Sequence, residues 1–248
     1  MMKNDQLPRK ILLMTGTIKP FVKVKHNDPQ FRLKEYVQTI SRYITDSDFD
    51  TILFAENSGY QFDSSELEAQ AEACGKKLLI LRLVDGGGNN MSSGEAILMR
   101  RALEACPFIE DTDVIWKVTG RLWISNINRL LARHTRNTNV FLYARKYDSM
   151  QTWFFCAKVE DLKKYFLTDE TIEAMKQSCI EYVWMDCFRA NKQIRVERFA
   201  AYPNVIGNNS SGNAYTLSPI KRRMFDLLLL MGRFSVRRSN PAINRTGL

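Results

Sequence analysis

The chain has 248 residues, of which 45% are hydrophobic and 25% charged, the composition of a folded globular protein with material for a sizeable core. No run of about 18 uninterrupted apolar residues occurs, which excludes the usual transmembrane helix. The net charge of +9 is concentrated: residues 221–248 carry Lys221, Arg222, Arg223, Arg233, Arg237, Arg238 and Arg245 against Asp226 alone, so the body is nearly neutral and the tail basic.

The polar start MMKNDQLPRK precedes an apolar stretch too short for a signal-peptide core, so a cytoplasmic protein is expected. Five cysteines without CxxC spacing (Cys74, Cys106, Cys156, Cys179 and Cys187) then read as reduced thiols. The two histidines, His26 and His134, lie far apart in sequence and point to no zinc site.

In chain order, residues 10–18 form an apolar run ending at Thr15-Gly16-Thr17, the pattern of a buried first strand. A loop with Pro20 and Pro29 leads to a helix over 32–44, with Leu33, Tyr36, Val37 and Ile40 on one face. Residues 51–55 are a second strand, stopped by Glu56-Asn57-Ser58-Gly59. A helix over 64–74 ends at Gly75, and a third strand over 77–84 runs into the loose loop at 85–90. A helix over 93–106 leads to a fourth strand over 114–118, closed by Thr119-Gly120-Arg121. Residues 140–144 and 152–157 read as an antiparallel pair, 169–188 as one helix, and 194–202 as a last strand. Strands alternating with helices predict an α/β fold: a Rossmann-type mixed, mostly parallel sheet with helices on both faces. Residues 1–217 read as a single domain, followed by a basic tail over 218–248.

In an open parallel sheet, ligands bind outside the carboxyl ends of the strands. The loops there carry Thr15, Gly16, Thr17, Glu56, Asn57 and Ser58, then 85–90, then Thr119, Gly120 and Arg121. Small residues let a ligand approach the backbone, and Asn and Glu can read a base edge or a ribose hydroxyl, although strand-to-helix turns favour the same residues. Lys117 and Arg121 bracket the end of the fourth strand, and two cations there suit a diphosphate. The 85–88 run is neither a Walker A loop nor a G-x-G-x-x-G fingerprint, which argues against an NTPase or a dinucleotide enzyme.

These strand ends, with Ala55-Glu56-Asn57-Ser58-Gly59-Tyr60 and Trp116-Lys117-Val118-Thr119-Gly120-Arg121, resemble the small bacterial glycosyltransferases of the GT-A type, which build capsule, lipopolysaccharide and other surface glycans. The resemblance covers residues 10–215 and rests on short motifs. It implies a glycosyltransferase that takes a nucleotide-sugar donor and a glycan or lipid-linked acceptor, with Thr15, Gly16, Glu56 and Asn57 holding the nucleotide. The family commonly places an Asp-x-Asp pair at the end of the fourth strand to hold a divalent metal, where this chain has Thr119-Gly120-Arg121. Its literal Asp111-Thr112-Asp113 precedes the strand and reads as a solvated turn, and Asp148 is a weak second candidate. No metal ligand and no permanently bound cofactor is therefore assigned; Lys117 or Arg121 is expected to neutralise the leaving diphosphate in place of a metal. For an inverting transfer the resemblance places the proton-accepting carboxylate after the later strands, where Glu181 and Asp186 lie among aromatic and apolar neighbours. The same acids could equally be helix acids that pair with Arg189.

Ser218-Pro219 is a strong helix start, and residues 220–234 mix Lys221, Arg222 and Arg223 with Met224, Phe225, Leu227–Leu230, Met231 and Phe234. Such a helix suits the surface of an anionic membrane, so attachment through 219–238 on the inner face is expected, the alternative being a helix packed on the core. The loop 202–212 reads as a disordered connector, the alternative being a segment that covers the donor or meets the acceptor. A nucleic-acid binder is disfavoured because the excess charge sits in a leucine-rich tail. A nucleotidyltransferase or other nucleotide-sugar enzyme is the closer rival.

Overall fold

The computed structural model describes residues 9–21, 27–84, 90–134, 138–207 and 217–237. Its first half repeats strand and helix: β1 (Ile11–Gly16), α1 (Pro29–Asp46), β2 (Thr51–Glu56), α2 (Ser65–Ala73), β3 (Lys77–Arg82), α3 (Met91–Ala105) and β4 (Val114–Thr119). The second half uses shorter pieces: β5 (Trp123–Ile124), α4 (Ile127–Arg133), β6 (Asn139–Val140), β7 (Tyr143–Ala144), β8 (Ser149–Met150) and β9 (Phe154–Lys158). These lead to α5 (Val159–Asp161), a π-helical turn (Leu162–Phe166), α6 (Asp169–Ala174), α7 (Ile180–Ala190), β10 (Val196–Glu197), β11 (Val205–Ile206) and α8 (Pro219–Leu230).

Seven strands form one sheet in the order β10-β6-β9-β4-β1-β2-β3. β1, β2, β3 and β4 are parallel, β9 is antiparallel to β4 and to β6, and β10 is parallel to β6. The expected mixed, mostly parallel α/β sheet is what the chain forms. Strand alternation splits the core. Ile11, Leu13, Leu53, Ala55, Ile115 and Phe155 meet α3, the π-helical turn, α6 and α7 on one face. Leu12, Met14, Ile52, Phe54, Trp116 and Val118 meet α1, α2, α4 and Leu229 of α8 on the other.

The strand order runs outward from β1 through β2 to β3, then α3 returns the chain to β4 on the other side of β1. This reversal opens a crevice outside the carboxyl ends of β1 and β4. Thr15 lies level with Ala55 of β2 and with Thr119 of β4, so the loops after these three strands share one rim.

Several boundaries differ from the sequence expectation. The helix expected over 169–188 is two helices, with Thr168 capping α6 and a break before α7. The strand expected over 194–202 pairs only at Val196–Glu197, because its neighbour β6 offers just two residues. In the expected 140–144 and 152–157 pair, Val140 does face Cys156, but Tyr143–Ala144 folds onto Ser149–Met150 instead. α3 starts two residues early because the Asn90 side chain accepts from the N–H groups of Ser92 and Ser93. Gly75 does end α2 in a left-handed conformation. Most of the 85–90 loop lies outside the described residues, as do residues 208–212 of the 202–212 connector, whose Val205–Ile206 pairs with β5.

α8 begins as expected, with Ser218 accepting from Lys221 N–H and Pro219 in the first turn. One side of it docks on the body: Leu229 is buried, Asp226 accepts from the Tyr202 N–H, and Phe225 and Phe234 pack on Tyr202. Among the described residues, no helix is long and apolar enough to cross a membrane.

Candidate functional site

The rim is built by close backbone approach. A Cβ on Gly16 would lie 2.7 Å from the Phe54 ring and 2.8 Å from the Tyr36 ring, and one on Gly120 would lie 2.9 Å from the Thr15 carbonyl oxygen. Only glycine lets the β1 and β4 ends close over the Tyr36 ring, and Gly120 N–H then donates to Thr15 O at 2.8 Å.

Glu56, fully buried, ties the next two loops together. Its Oε1 accepts from the N–H of Ile18 (2.8 Å) and of Ser58 (3.0 Å) and from the Ser58 hydroxyl, while Oε2 accepts from Tyr60 N–H at 3.1 Å. Both oxygens are thus occupied inside the protein, and the carboxylate expected to face a nucleotide shapes the rim from beneath. Beside it, Thr17 Oγ1 donates to Asn57 Oδ1 at 2.7 Å, which leaves the Asn57 NH2 without an acceptor among the described residues. Arg32 Nε donates to Thr17 O at 2.7 Å, and Thr17 N–H to Tyr36 Oη at 3.0 Å. Ser58 Oγ accepts from Lys19 N–H at 3.1 Å.

The two cations at the end of β4 are not free charges. Lys117 points to the α3 and α7 face and is completely buried. Its Nζ donates to Glu95 Oε1, to Thr152 O at 2.8 Å and to Thr119 Oγ1 at 3.3 Å, so all three donors have partners. An ammonium committed in this way cannot also meet a diphosphate without breaking the Glu95 pair. Arg121 pairs through Nη1 with Glu35 Oε2 at 3.0 Å, but its Nε is buried and without a partner among the described residues. One guanidinium donor therefore still lacks an acceptor.

Glu95 is the residue the sequence reading missed. Its Oε1 accepts from Lys117 and from Thr15 Oγ1 (3.2 Å), which joins the first turns of α3 to β1 and β4. Across the same floor, Thr152 Oγ1 donates to Glu181 Oε1 at 3.1 Å. Burial pushes the Glu181 carboxyl above its usual range and the Glu95 charge adds to this, while its own N–H, the Thr152 hydroxyl and Lys117 pull it back. Asp186, five residues on, sits on the open side of α7 with a side chain 60% exposed, 3.7 Å from Arg189. The structure brings Glu181 to the Lys117 floor and leaves Asp186 in solvent.

The weak metal candidates have structural partners. Asp148 is buried with a positive φ of 48°, receives both Nη groups of Arg189 (2.8 and 2.9 Å) and the Tyr143 hydroxyl (2.9 Å). Asp111 pairs with Lys163 and Asp113 with Arg9, at the end of β4 remote from the rim. A divalent ion at the rim would need carboxylates after β4, where Thr119, Gly120 and Arg121 stand, and Glu95 is already paired with a cation. These residues do not fit a metal. Among the described residues, no group of three or more His, Cys, Asp or Glu side chains could hold one. A separate cavity of about 650 Å3, lined by Trp116, His134, Phe199 and Leu229, includes none of the rim residues.

No family model matches the chain, and no curated protein sequence matches it. Among solved structures it is similar to the glycosyltransferase GlyE of Streptococcus pneumoniae TIGR4, with 8% identity and a TM-score of 0.50 over 77% of this chain and 45% of that one. Two further likenesses span more of both chains at lower scores. The 4-diphosphocytidyl-2C-methyl-D-erythritol synthase of Anaerococcus prevotii has 12% identity, 90% and 96% coverage and a TM-score of 0.40. A protein of Bacillus anthracis described as a putative glucose-1-phosphate thymidylyltransferase has 11% identity, 89% and 94% coverage and a TM-score of 0.46. The chain spans less than half the length of GlyE. The likeness is one of fold: the mixed, mostly parallel sheet of this chain resembles part of that glycosyltransferase.

Proposed function

We propose that the chain is a glycosyltransferase that moves a sugar from a nucleotide-sugar to a glycan or lipid-linked acceptor in bacterial surface polysaccharide synthesis. One observation carries the reading: the reversal of strand order at β1 and β4 sets a glycine-lined rim at the strand ends, and Lys117 of β4 is joined through Thr152 to a half-buried carboxylate, Glu181. In this reading the nucleoside lies over Thr17, Asn57 and Ser58, whose loops Glu56 holds in register. The orphan Nε of Arg121 takes a diphosphate oxygen, and Lys117 serves by holding Glu95. The acceptor oxygen bonds to the anomeric carbon of the sugar. The bond from that carbon to the diphosphate breaks, its electron pair leaves with the diphosphate, and the hydroxyl proton passes to Glu181.

The outer side of α8 supports a place on the inner face of the cell membrane. Ile220, Met224, Leu227, Leu230 and Met231 are exposed on it, beside Lys221, Arg222 and Arg223, while the acid Asp226 is turned to the body. An apolar strip flanked by cations complements an anionic lipid surface.

The experiment is a thermal-shift screen against UDP-, GDP- and CMP-sugars, followed by product analysis with the stabilising donor, since a true ligand raises the melting temperature by mass action. Stabilisation by a nucleotide-sugar and release of the nucleoside phosphate on transfer bear the reading out. Release of pyrophosphate from a nucleoside triphosphate and a sugar phosphate would make it a nucleotidyltransferase instead.

A further inference from the structure

The pair of buried Lys117 and half-buried Glu95 has no part in stabilising the fold that an apolar pair could not fill, since the desolvation of the charges offsets most of their attraction. Its connections are more informative than its energy. Lys117 binds the carbonyl of Thr152, and the hydroxyl of that same residue binds Glu181. Glu95, on α3, is bound in turn to Thr15 on β1. Four sequence-distant segments, β1, α3, β4 and the stretch between β8 and β9, are thereby fastened to the first turn of α7, where Glu181 stands.

We infer that Glu95, Lys117 and Thr152 are positioning residues that hold Glu181 at the reacting centre and set its readiness to take a proton. This deepens the proposed function and rests on it for the identity of the reaction. Lys117 is the hub: it fixes the Thr152 carbonyl, and so aims the Thr152 hydroxyl, and it fixes Glu95, whose charge acts on Glu181 across the α3 and α7 interface. Among the described residues, the charged and titratable groups facing Glu181 are Glu95 from α3, Lys117 from β4 and Cys179 at the cap of its own helix. The two carboxyl-directed influences oppose each other, since Glu95 disfavours the Glu181 anion and the Thr152 hydroxyl favours it. The chain thus carries two handles on one group, and each handle can be removed by a near-isosteric substitution.

The test is an NMR titration of the full chain labelled with [5-13C]glutamate, the Glu181 resonance being the one that Glu181→Gln removes. Glu95→Gln takes away a negative neighbour, so the Glu181 midpoint moves to lower pH. Thr152→Val takes away a donor to the anion but keeps the carbonyl for Lys117, so the midpoint moves to higher pH. In kcat/KM profiles with the donor found by the screen, the acid limb follows the same opposite shifts, because the anion is the working form. A packing role alone would lower rates without moving the limb. Midpoints unchanged in both variants, or moved in the same direction, overturn the inference; Thr152→Val keeps the test decisive should Glu95→Gln fold poorly. Opposite shifts in a chain that no nucleotide-sugar stabilises would uphold the strut and refute the reaction instead.

Discussion

Glu56→Gln separates a carboxylate that builds the rim from one that reads the ligand. In the folded chain the Glu56 oxygens accept four hydrogen bonds, three on Oε1 and one on Oε2, at a site with no exposure to solvent. Glutamine can keep its oxygen toward Ile18 and Ser58, but its NH2 then points at the Tyr60 N–H, donor against donor. The loss of one charge-assisted bond costs about 1.5–3 kcal/mol, and the three that remain weaken because their acceptor is neutral. Burying an amide in place of a charge offsets part of this, leaving a net cost of about 2–4 kcal/mol. At roughly 2–4 °C per kcal/mol for a chain of this size, the melting temperature falls by about 4–16 °C. The assay is urea unfolding with a thermal melt, each with and without the nucleotide-sugar that the screen identifies. A variant that melts within about 2 °C of wild type but no longer binds the donor would refute the reasoning, since it would make Glu56 a ligand contact and not a fastening.

Three further expectations follow from single groups. Gly120→Ala sets a Cβ 2.9 Å from the Thr15 carbonyl and 3.1 Å from the Tyr36 ring, so urea unfolding should show a loss of about 1–3 kcal/mol, the usual cost of overpacking. Glu181 holds its proton more tightly in the folded chain than in the unfolded one, so its contribution to stability is full below the ordinary glutamate range and is lost as pH rises through the raised value. Glu181→Gln should therefore melt higher than wild type at pH 8, with the gap closing toward pH 4, a value near the usual glutamate range of about 4.3, and should be inactive throughout; thermal melts across pH check the first part and transfer assays the second. On α8, Met224→Glu with Leu227→Glu removes two exposed apolar groups and adds two charges, and should weaken cosedimentation with phosphatidylglycerol vesicles by about tenfold or more while leaving the melt unchanged.

Much of the architecture was legible because buried parallel strands announce themselves as apolar runs, and β1 to β4 do so at 11–16, 51–56, 77–82 and 114–119. The α8 cap was legible for a local reason, a serine and a proline at fixed helix positions. The second half was harder to read. Its strands are two to five residues long, and the break between α6 and α7 falls in Met175-Lys176-Gln177-Ser178-Cys179, where no glycine or proline marks it. The rim loops after β1, β2 and β4 could be placed from strand order, but the side chains that face inward could not. Strand alternation sets Lys117 and Thr119 on one side of β4, and a lysine on a covered face requires a partner, yet that partner, Glu95, lies 22 residues earlier in a stretch that reads as an ordinary helix start. In the sequence Glu56 reads as a ligand contact because nothing local reveals that Ile18 and Tyr60, from two different loops, both turn their N–H groups toward it. Arg32 stood in view on the apolar face of α1, four residues before Tyr36, and an arginine in that stripe signals a buried acceptor such as Thr17 O.

The central claim is that the carboxyl ends of β1, β2 and β4 form a nucleotide-sugar site in which Arg121 meets the diphosphate. A crystal structure of the chain grown with the nucleoside diphosphate of its best-stabilising donor tests this most directly. The account predicts the base and ribose against Thr17 and Asn57, with a phosphate oxygen within hydrogen-bond distance of Arg121 Nε. A nucleotide seated instead in the cavity lined by Trp116 and His134, with the rim empty, would contradict it.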